Sequence, residues 1–321
     1  MRAWVATGYG GPEVLALVEL PVPRLRPNDV LIRVQATTVS SADHRIRAMD
    51  MPAGMGLIAR AVLGFRRLRQ PVLGAELTGV VAAVGSRVIR FAVGDAVIAF
   101  PGVKLRGHAE YFRIPENGMI VPRPVGMTLE TAAALGFGGT TARDFLRLAN
   151  LVAGERVLVI GASGTVGSAM VQLAKLAGAT VTAVTSRGNV DLVSGLGAAE
   201  VIDYTTRDVS LAEECWDIIA DTVGALDFKR AMPILSEGGR YLAIAGGLAD
   251  LMARRKGTKR SIMTPAAEKP ADLAELVDLA DRGLFRPLID SVLPFERLPE
   301  AHARTDTGRK RGSVVVVHAG H

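Results

Sequence analysis

Cysteine is nearly missing from this 321-residue chain: Cys215 stands alone. That excludes an intramolecular disulfide framework, and the usage fits a reducing, cytoplasmic setting. Without cysteine clusters, a structural zinc lobe is not expected either. Aromatic residues make up only 5% of the chain. The net charge of +6 comes from scattered arginines with no aromatic interleaving and no nucleic-acid motif, so nucleic acid is not an expected partner. No apolar run approaches the ~18 residues of a membrane span. The first residues, "MRAWVATGYGG", hold no signal-peptide core. No internal repeat is visible.

What is present is a globular composition, 49% hydrophobic and 22% charged, at a length that accommodates two domains. The most informative stretch is "VLVIGASGTVGSAMVQLAK", Val157–Lys175. Its first four residues form an apolar run, as in a strand buried on both faces. Val166, Ala169, Met170, Leu173 and Ala174 then recur at helical spacing. Gly161, Gly164 and Gly167 therefore lie on a strand-to-helix turn, with Ser163, Thr165 and Val166 between them. That is the setting in which a helix N-terminus takes a dinucleotide's diphosphate. Ala162 stands where the strict fingerprint has its first glycine.

Strand and helix patterns alternate from there on. Strands are predicted at Arg156–Ile160, Thr180–Thr185, Glu200–Asp203, Asp217–Asp221, Arg240–Ala245 and Arg260–Thr264. Helices are predicted at Asn189–Leu196, Asp227–Leu235 and Pro270–Leu284. This is a doubly wound parallel sheet of the Rossmann type. The first 120 or so residues read instead as short β runs broken by Gly, Pro and Asp: "DVLIRVQATTV", "LTGVVAAVG", "DAVIAF" and "AEYFRI". The tail strand Ser313–Val317 returns to that first domain. The fold class is thus α/β, a β-rich domain plus a parallel-sheet domain.

Taken together, "GYGGPEVLALVELPVPRLRPNDVLIRVQATTVSSADHR", "LGAELTGVVAAVGSRVIRFAVGDAVIAF", "HAEYFRIPENGMIVPRP", "GTTA", "GASGTVGSAMVQLAKLAGATVTAVTS", "LGAAEVIDYT", "DIIADTVG" and "GGRYLAIAGG" carry a resemblance over nearly the whole chain. The chain resembles the medium-chain dehydrogenase/reductase superfamily, in its zinc-free quinone oxidoreductase branch. The resemblance implies a GroES-like substrate domain (residues 1–122 and 288–321) around a Rossmann domain (residues 123–287). It also implies a cleft in which nicotinamide meets substrate, and a homodimer through the sheet edge.

Zinc alcohol dehydrogenases of that superfamily use a Cys and a His whose positions match Ser40 and Ala75, and neither residue supplies a ligand zinc favours. The hydroxyl of their proton relay falls on Ala42. Glu76 remains, but one carboxylate does not hold a catalytic metal. His44, His108, His302, His318 and His321 form no ligand cluster. Without a Lewis acid to stabilise an alkoxide, an electrophilic quinone or enone is the expected substrate. An alcohol dehydrogenase and a non-catalytic nucleotide-binding protein are the alternatives.

About 20 residues past the glycines, NAD enzymes place an acid for the ribose. Here Thr185, Ser186 and Arg187 stand there, and Arg187 suits the 2′-phosphate of NADP(H). Asp191 falls in the first turn of the next helix. By resemblance, Tyr204 also holds the phosphate, Val223 lines the adenosine pocket, and Thr141, Ala245 and Gly246 approach the nicotinamide. Ser313 touches the cofactor from the far side. The family's substrate pocket matches Ser40, a hydrogen-bond donor to a carbonyl, and Asp43, which either faces substrate or pairs with Arg45 or caps a turn. His44 is either a proton donor or a surface imidazole. Met49–Gln70 is longer than usual for its region, and an amphipathic helix is expected in its second half. That helix either lids the active site or packs on the surface. Met252–Arg260 is the strongest basic run.

Overall fold

The computed structural model describes residues 1–253 and 255–319; Arg254, in the basic run, and Gly320 and His321, in the tail, lie outside the described residues. The chain divides into two compact units. One holds Met1–Asp50, Leu57–Thr140 and the chain from Glu268 onward, and the other holds Met51–Gly56 and Thr141–Ala267. Arg123–Thr140 and Glu268–Pro287, expected in the Rossmann domain, thus cluster with the β-rich unit.

The β-rich unit begins with the antiparallel pair β1 (Arg2–Ala6) and β2 (Leu15–Glu19). β3 (Asp29–Val39) is its long central strand. After it come α1 (Ser41–Ala48), α2 (Gly56–Leu63), β4 (Leu77–Val84), β5 (Ala96–Ala99), β6 (Tyr111–Pro115) and β7 (Ile120–Pro122). Two helices follow, α3 (Leu129–Ala133) and α4 (Gly136–Leu148). The unit's core is apolar: Val30, Ile32, Leu77, Val97, Phe112 and Ile120 pack together with almost no exposure.

The second unit runs β8 (Arg156–Ile160), α5 (Thr165–Leu176), β9 (Thr180–Thr185), α6 (Val190–Gly195), β10 (Glu200–Asp203) and β11 (Trp216–Asp221). It continues with α7 (Phe228–Ala231), β12 (Leu235–Ala243), α8 (Leu248–Met252), β13 (Arg255–Lys256) and β14 (Lys259–Ile262). The sheet order is β10-β9-β8-β11-β12-β14-β13. All neighbours are parallel except the terminal β13–β14 pair. This is the doubly wound order, and its topological switch point lies between β8 and β11, where ligands of such sheets bind.

The chain then returns to the first unit as α9 (Pro270–Asp281), β15 (Ile289–Pro294), α10 (Leu298–Asp306) and β16 (Ser313–Val317). β16 pairs with the second half of β3, whose first half pairs with β6. The expected return of the tail strand is therefore found.

Two predicted helices differ from the structure. Asp227–Leu235 is helical only to Ala231, and Met232–Ile234 tightens into a 3₁₀ turn. Pro233 explains this, since it brings no N–H to the helical ladder. In Met49–Gln70 the helix sits earlier than expected, at Gly56–Leu63. Gly64 stops it at φ +125°, a conformation costly for any side chain. Phe65 is exposed and Leu68 buried beyond the helix.

Candidate functional site

The glycine turn sits at the carboxyl end of β8, beside β11, so sheet topology places it at the switch point. Gly161 has φ +80°, and a Cβ there would lie 2.5 Å from Val223 Cγ1 and 2.6 Å from Thr222 Oγ1. A Cβ on Gly167 would overlap the Gly161 carbonyl, so Gly167 permits the close approach of α5 to β8. Gly164 is the N-cap of α5, and no side chain caps the helix there. First-turn N–H groups of a helix lack intrahelical acceptors, so this end of α5 attracts an anion. Thr165, Val166 and Gly167 form that first turn.

A polar cluster adjoins the cradle. Thr185 Oγ1 donates to Ser163 Oγ (3.1 Å). Asn189 Nδ2 donates to Ser163 Oγ (3.1 Å) and to Ser186 Oγ (3.2 Å). Among the described residues, Asn189 Oδ1 is buried without a hydrogen-bond partner, so the cluster keeps an open acceptor. Arg187 is exposed, and its guanidinium forms no ion pair among the described residues. Tyr204, 61% exposed, is tied to the same strand end by its N–H on Thr185 O (3.1 Å). Asp191 is exposed in the first turn of α6.

The opposite wall is organised by Asp221, fully buried at the end of β11. Its Oδ1 accepts from Val223 N (3.0 Å) and Gly224 N (2.8 Å), and its Oδ2 from Leu226 N (2.8 Å). Its carbonyl accepts from Ala245 N (3.4 Å), which carries Ala245 and Gly246 to the same sheet end. Sequence reasoning singled out neither Asn189 nor Asp221. An Asp closing an apolar strand before "TVG" is the signal for a side chain that ties a turn. The glycines, the uncapped helix and the orphaned acceptor fit a dinucleotide. Thr141, half-buried in α4, is where that helix passes from the β-rich unit to this one.

In the β-rich unit, Ser40 is the N-cap of α1, and it forms a reciprocal capping box with Asp43. Ser40 N and Ser40 Oγ both donate to Asp43 Oδ2 (2.8 and 2.6 Å), while Gly74 N donates to Asp43 Oδ1 (2.8 Å). Asp43 therefore caps rather than pairs with Arg45. His44 is held between Asp306 (Nδ1 to Oδ1, 2.6 Å) and Asp50 (Nε2 to Oδ2, 3.2 Å). Glu76 is buried: its Oε1 accepts from Thr38 Oγ1 (2.5 Å) and its Oε2 from Phe137 N (2.7 Å) at the start of α4. Burial pushes its carboxyl up to about 7 despite those two hydrogen bonds. Burial likewise lowers Lys310 to about 8, against the pull of Asp290, Glu76 and Asp43. Ser313 is buried in β16, and its Oγ has no hydrogen-bond partner among the described residues.

Known proteins of similar sequence and shape place the chain. Residues 26–153 match the family model described as alcohol dehydrogenase GroES-like domain, and residues 196–316 the one described as zinc-binding dehydrogenase. An NADPH-dependent alkenal/one oxidoreductase of Arabidopsis thaliana is 30% identical, over 98% of this chain and 79% of that protein. The chloroplast envelope quinone oxidoreductase homolog of the same plant is 30% identical, over 98% of each chain. The chain belongs to the medium-chain dehydrogenase/reductase superfamily, in its quinone oxidoreductase-like branch. A quinone oxidoreductase from Coxiella burnetii shares the fold at a TM-score of 0.86 and 26% identity, over 99% of each chain. In this superfamily member the β-rich unit is the GroES-like domain and the parallel sheet the Rossmann-like domain. It is an oxidoreductase of a family that binds nicotinamide cofactors and acts on small molecules. Among the described residues, no helix is long and apolar enough to cross a membrane.

Proposed function

We propose that this oxidoreductase uses NADPH to reduce quinones or conjugated alkenes and carbonyls, and that it needs no metal. The observation that carries the cofactor choice is the end of β9. Thr185, Ser186 and Arg187 stand there beside Tyr204; the nearby carboxylate of Asp203, at the end of β10 in register with Thr185, is held by Arg187 N and the Arg187 charge, and Arg187 forms no close ion pair among the described residues. Gly161, Ser163, Gly164, Thr165, Val166 and Gly167 would cradle the diphosphate, with Val223 against the adenosine. Thr141, Ala245, Gly246 and Ser313 are proposed nicotinamide neighbours. NADPH, when bound, supplies the hydride.

The metal-free reading rests on donor chemistry. Ser40 and Ala75 stand where zinc-dependent relatives place their ligands, and Ser40 is committed to Asp43. Asp43 then acts by positioning: it fixes the Ser40 backbone and hydroxyl, and rotation of that hydroxyl presents a donor to a carbonyl oxygen. The names of the alkenal/one oxidoreductase and the quinone oxidoreductase homolog support an electrophilic substrate. The test is anaerobic NADPH oxidation by chelator-treated protein against quinones, alkenals and enones, with NADH in parallel. Oxidation faster with NADPH than with NADH is expected. Quenching of NADPH fluorescence on binding, without turnover of any acceptor, would instead make the chain a non-catalytic nucleotide binder. Alcohol oxidation restored only by zinc would make it an alcohol dehydrogenase.

A further inference from the structure

α2 is amphipathic in the wrong sense for a helix packed on its own protein. Leu57, Ile58, Ala61 and Val62 share one face, and Phe65 follows just past Gly64. All five are exposed, Leu57 by 73%, Val62 by 64% and Phe65 by 60%. No residue of the helix is buried. The inner side is held by polar contacts instead. Tyr9 Oη donates to Gly64 O (2.5 Å), and the Arg60 guanidinium lies over the Tyr9 ring at 5.3 Å. Arg60 also donates to Phe65 O (2.7 Å) and Arg69 to Val62 O (3.1 Å). An apolar stripe that its own fold points outward marks a contact with something else.

The charge beside the stripe says with what. From Met51 to Ala75 there is no Asp or Glu, while Arg60, Arg66, Arg67 and Arg69 lie in that run. Arg66 and Arg67 are exposed, and neither has an ion-pair partner among the described residues. Together with Arg69 they border a cavity of about 670 Å³, closed on its other side by Val5, Thr7 and Pro71. A basic hollow next to an outward apolar stripe matches the two chemistries of an anionic lipid, phosphate above and acyl chain below. We propose that α2 and the Gly64–Arg69 turn dock this protein onto an anionic lipid bilayer. In this pose Leu57, Ile58, Val62 and Phe65 enter the headgroup boundary, and Arg66, Arg67 and Arg69 meet lipid phosphates. Docking of this kind does not depend on which substrate the enzyme reduces.

Sedimentation of the full chain with vesicles tests it, comparing pure phosphatidylcholine with a phosphatidylcholine–phosphatidylserine mixture. Binding to the mixture alone is expected, weakening as salt rises. Arg66→Gln/Arg67→Gln should weaken it at least about tenfold, at roughly fivefold per arginine. Leu57→Ser/Val62→Ser should abolish it with an unchanged melting temperature, since neither side chain is buried. Equal pelleting with both vesicle types, or no loss in either variant, would overturn the proposal. So would two substitutes for the membrane: a concentration-dependent dimer removed by Leu57→Ser/Val62→Ser, or a raised KM for a water-soluble quinone in that variant without vesicles. Binding of inorganic phosphate with no vesicle binding would reduce the hollow to a small-anion site and equally overturn it.

Discussion

Gly164 and Gly167 lie three residues apart in one turn, yet their surroundings impose opposite demands. A Cβ on Gly167 overlaps the backbone carbonyl of Gly161, which no rotamer change relieves. Gly167→Ala should therefore cost about 2–3 kcal/mol in urea unfolding, the range for overpacking. Gly164 has φ −79° and ψ 176°, open to any residue, and a Cβ there meets only Gly161 O at 3.3 Å. Gly164→Ala should cost less than about 1 kcal/mol of stability. On the proposed cofactor assignment it should still weaken NADPH binding by about tenfold or more, because the methyl would stand where backbone approaches the diphosphate. A fluorescence titration beside the unfolding curve checks both halves. The three glycines were visible from spacing alone. Asn189 and Asp221 were not, because their roles arise from which strand ends the fold brings together.

At the scale of elements, Glu76 ties the start of β4 to the start of α4. Its Oε2 accepts from Phe137 N, and Gly136 leaves the space, since a Cβ there would sit 3.1 Å from that oxygen. The tether has a pH signature. Burial raises the Glu76 carboxyl from its ordinary 4.5 to about 7, so the folded state keeps a proton that the unfolded chain releases between those values. Stability from this group is full below about pH 4.5 and is lost as pH rises through about 7. Lys310, lowered from 10.5 to about 8, acts in a separate window: its penalty is present below about pH 8 and relieved as pH climbs toward 10.5. In Glu76→Gln the first slope should vanish. From about pH 5 to about pH 8 the difference in unfolding free energy should move in the variant's favour by about 2–3 kcal/mol. Parallel slopes for the two proteins would show that Glu76 does not titrate there. The elements themselves were largely legible, since β8, β9, β10 and β16 have the bounds their apolar runs predict. The misread helices failed for local reasons: Pro233 removed a donor, and Gly64 cut α2 short. Hydrophobic periodicity also cannot tell an inward stripe from an outward one, which hid the nature of α2.

At the scale of the whole molecule, both chain ends build the β-rich unit, and the middle builds the parallel sheet. That interleaving was legible because β16 repeats the apolar strand pattern after the last helix. The exact division was not, since α9 carries the same helical pattern whichever unit it joins. Family membership carries the reaction class, and the choice between NADPH and NADH rests on the β9 end. One charge-assisted contact is worth about 1.5–3 kcal/mol. The most direct measurement is the Kd of NADPH and of NADH for the wild type and for Arg187→Ala. NADPH should weaken by about tenfold to a hundredfold, with NADH nearly unchanged. Equal weakening of the two cofactors, or none for either, would contradict the assignment.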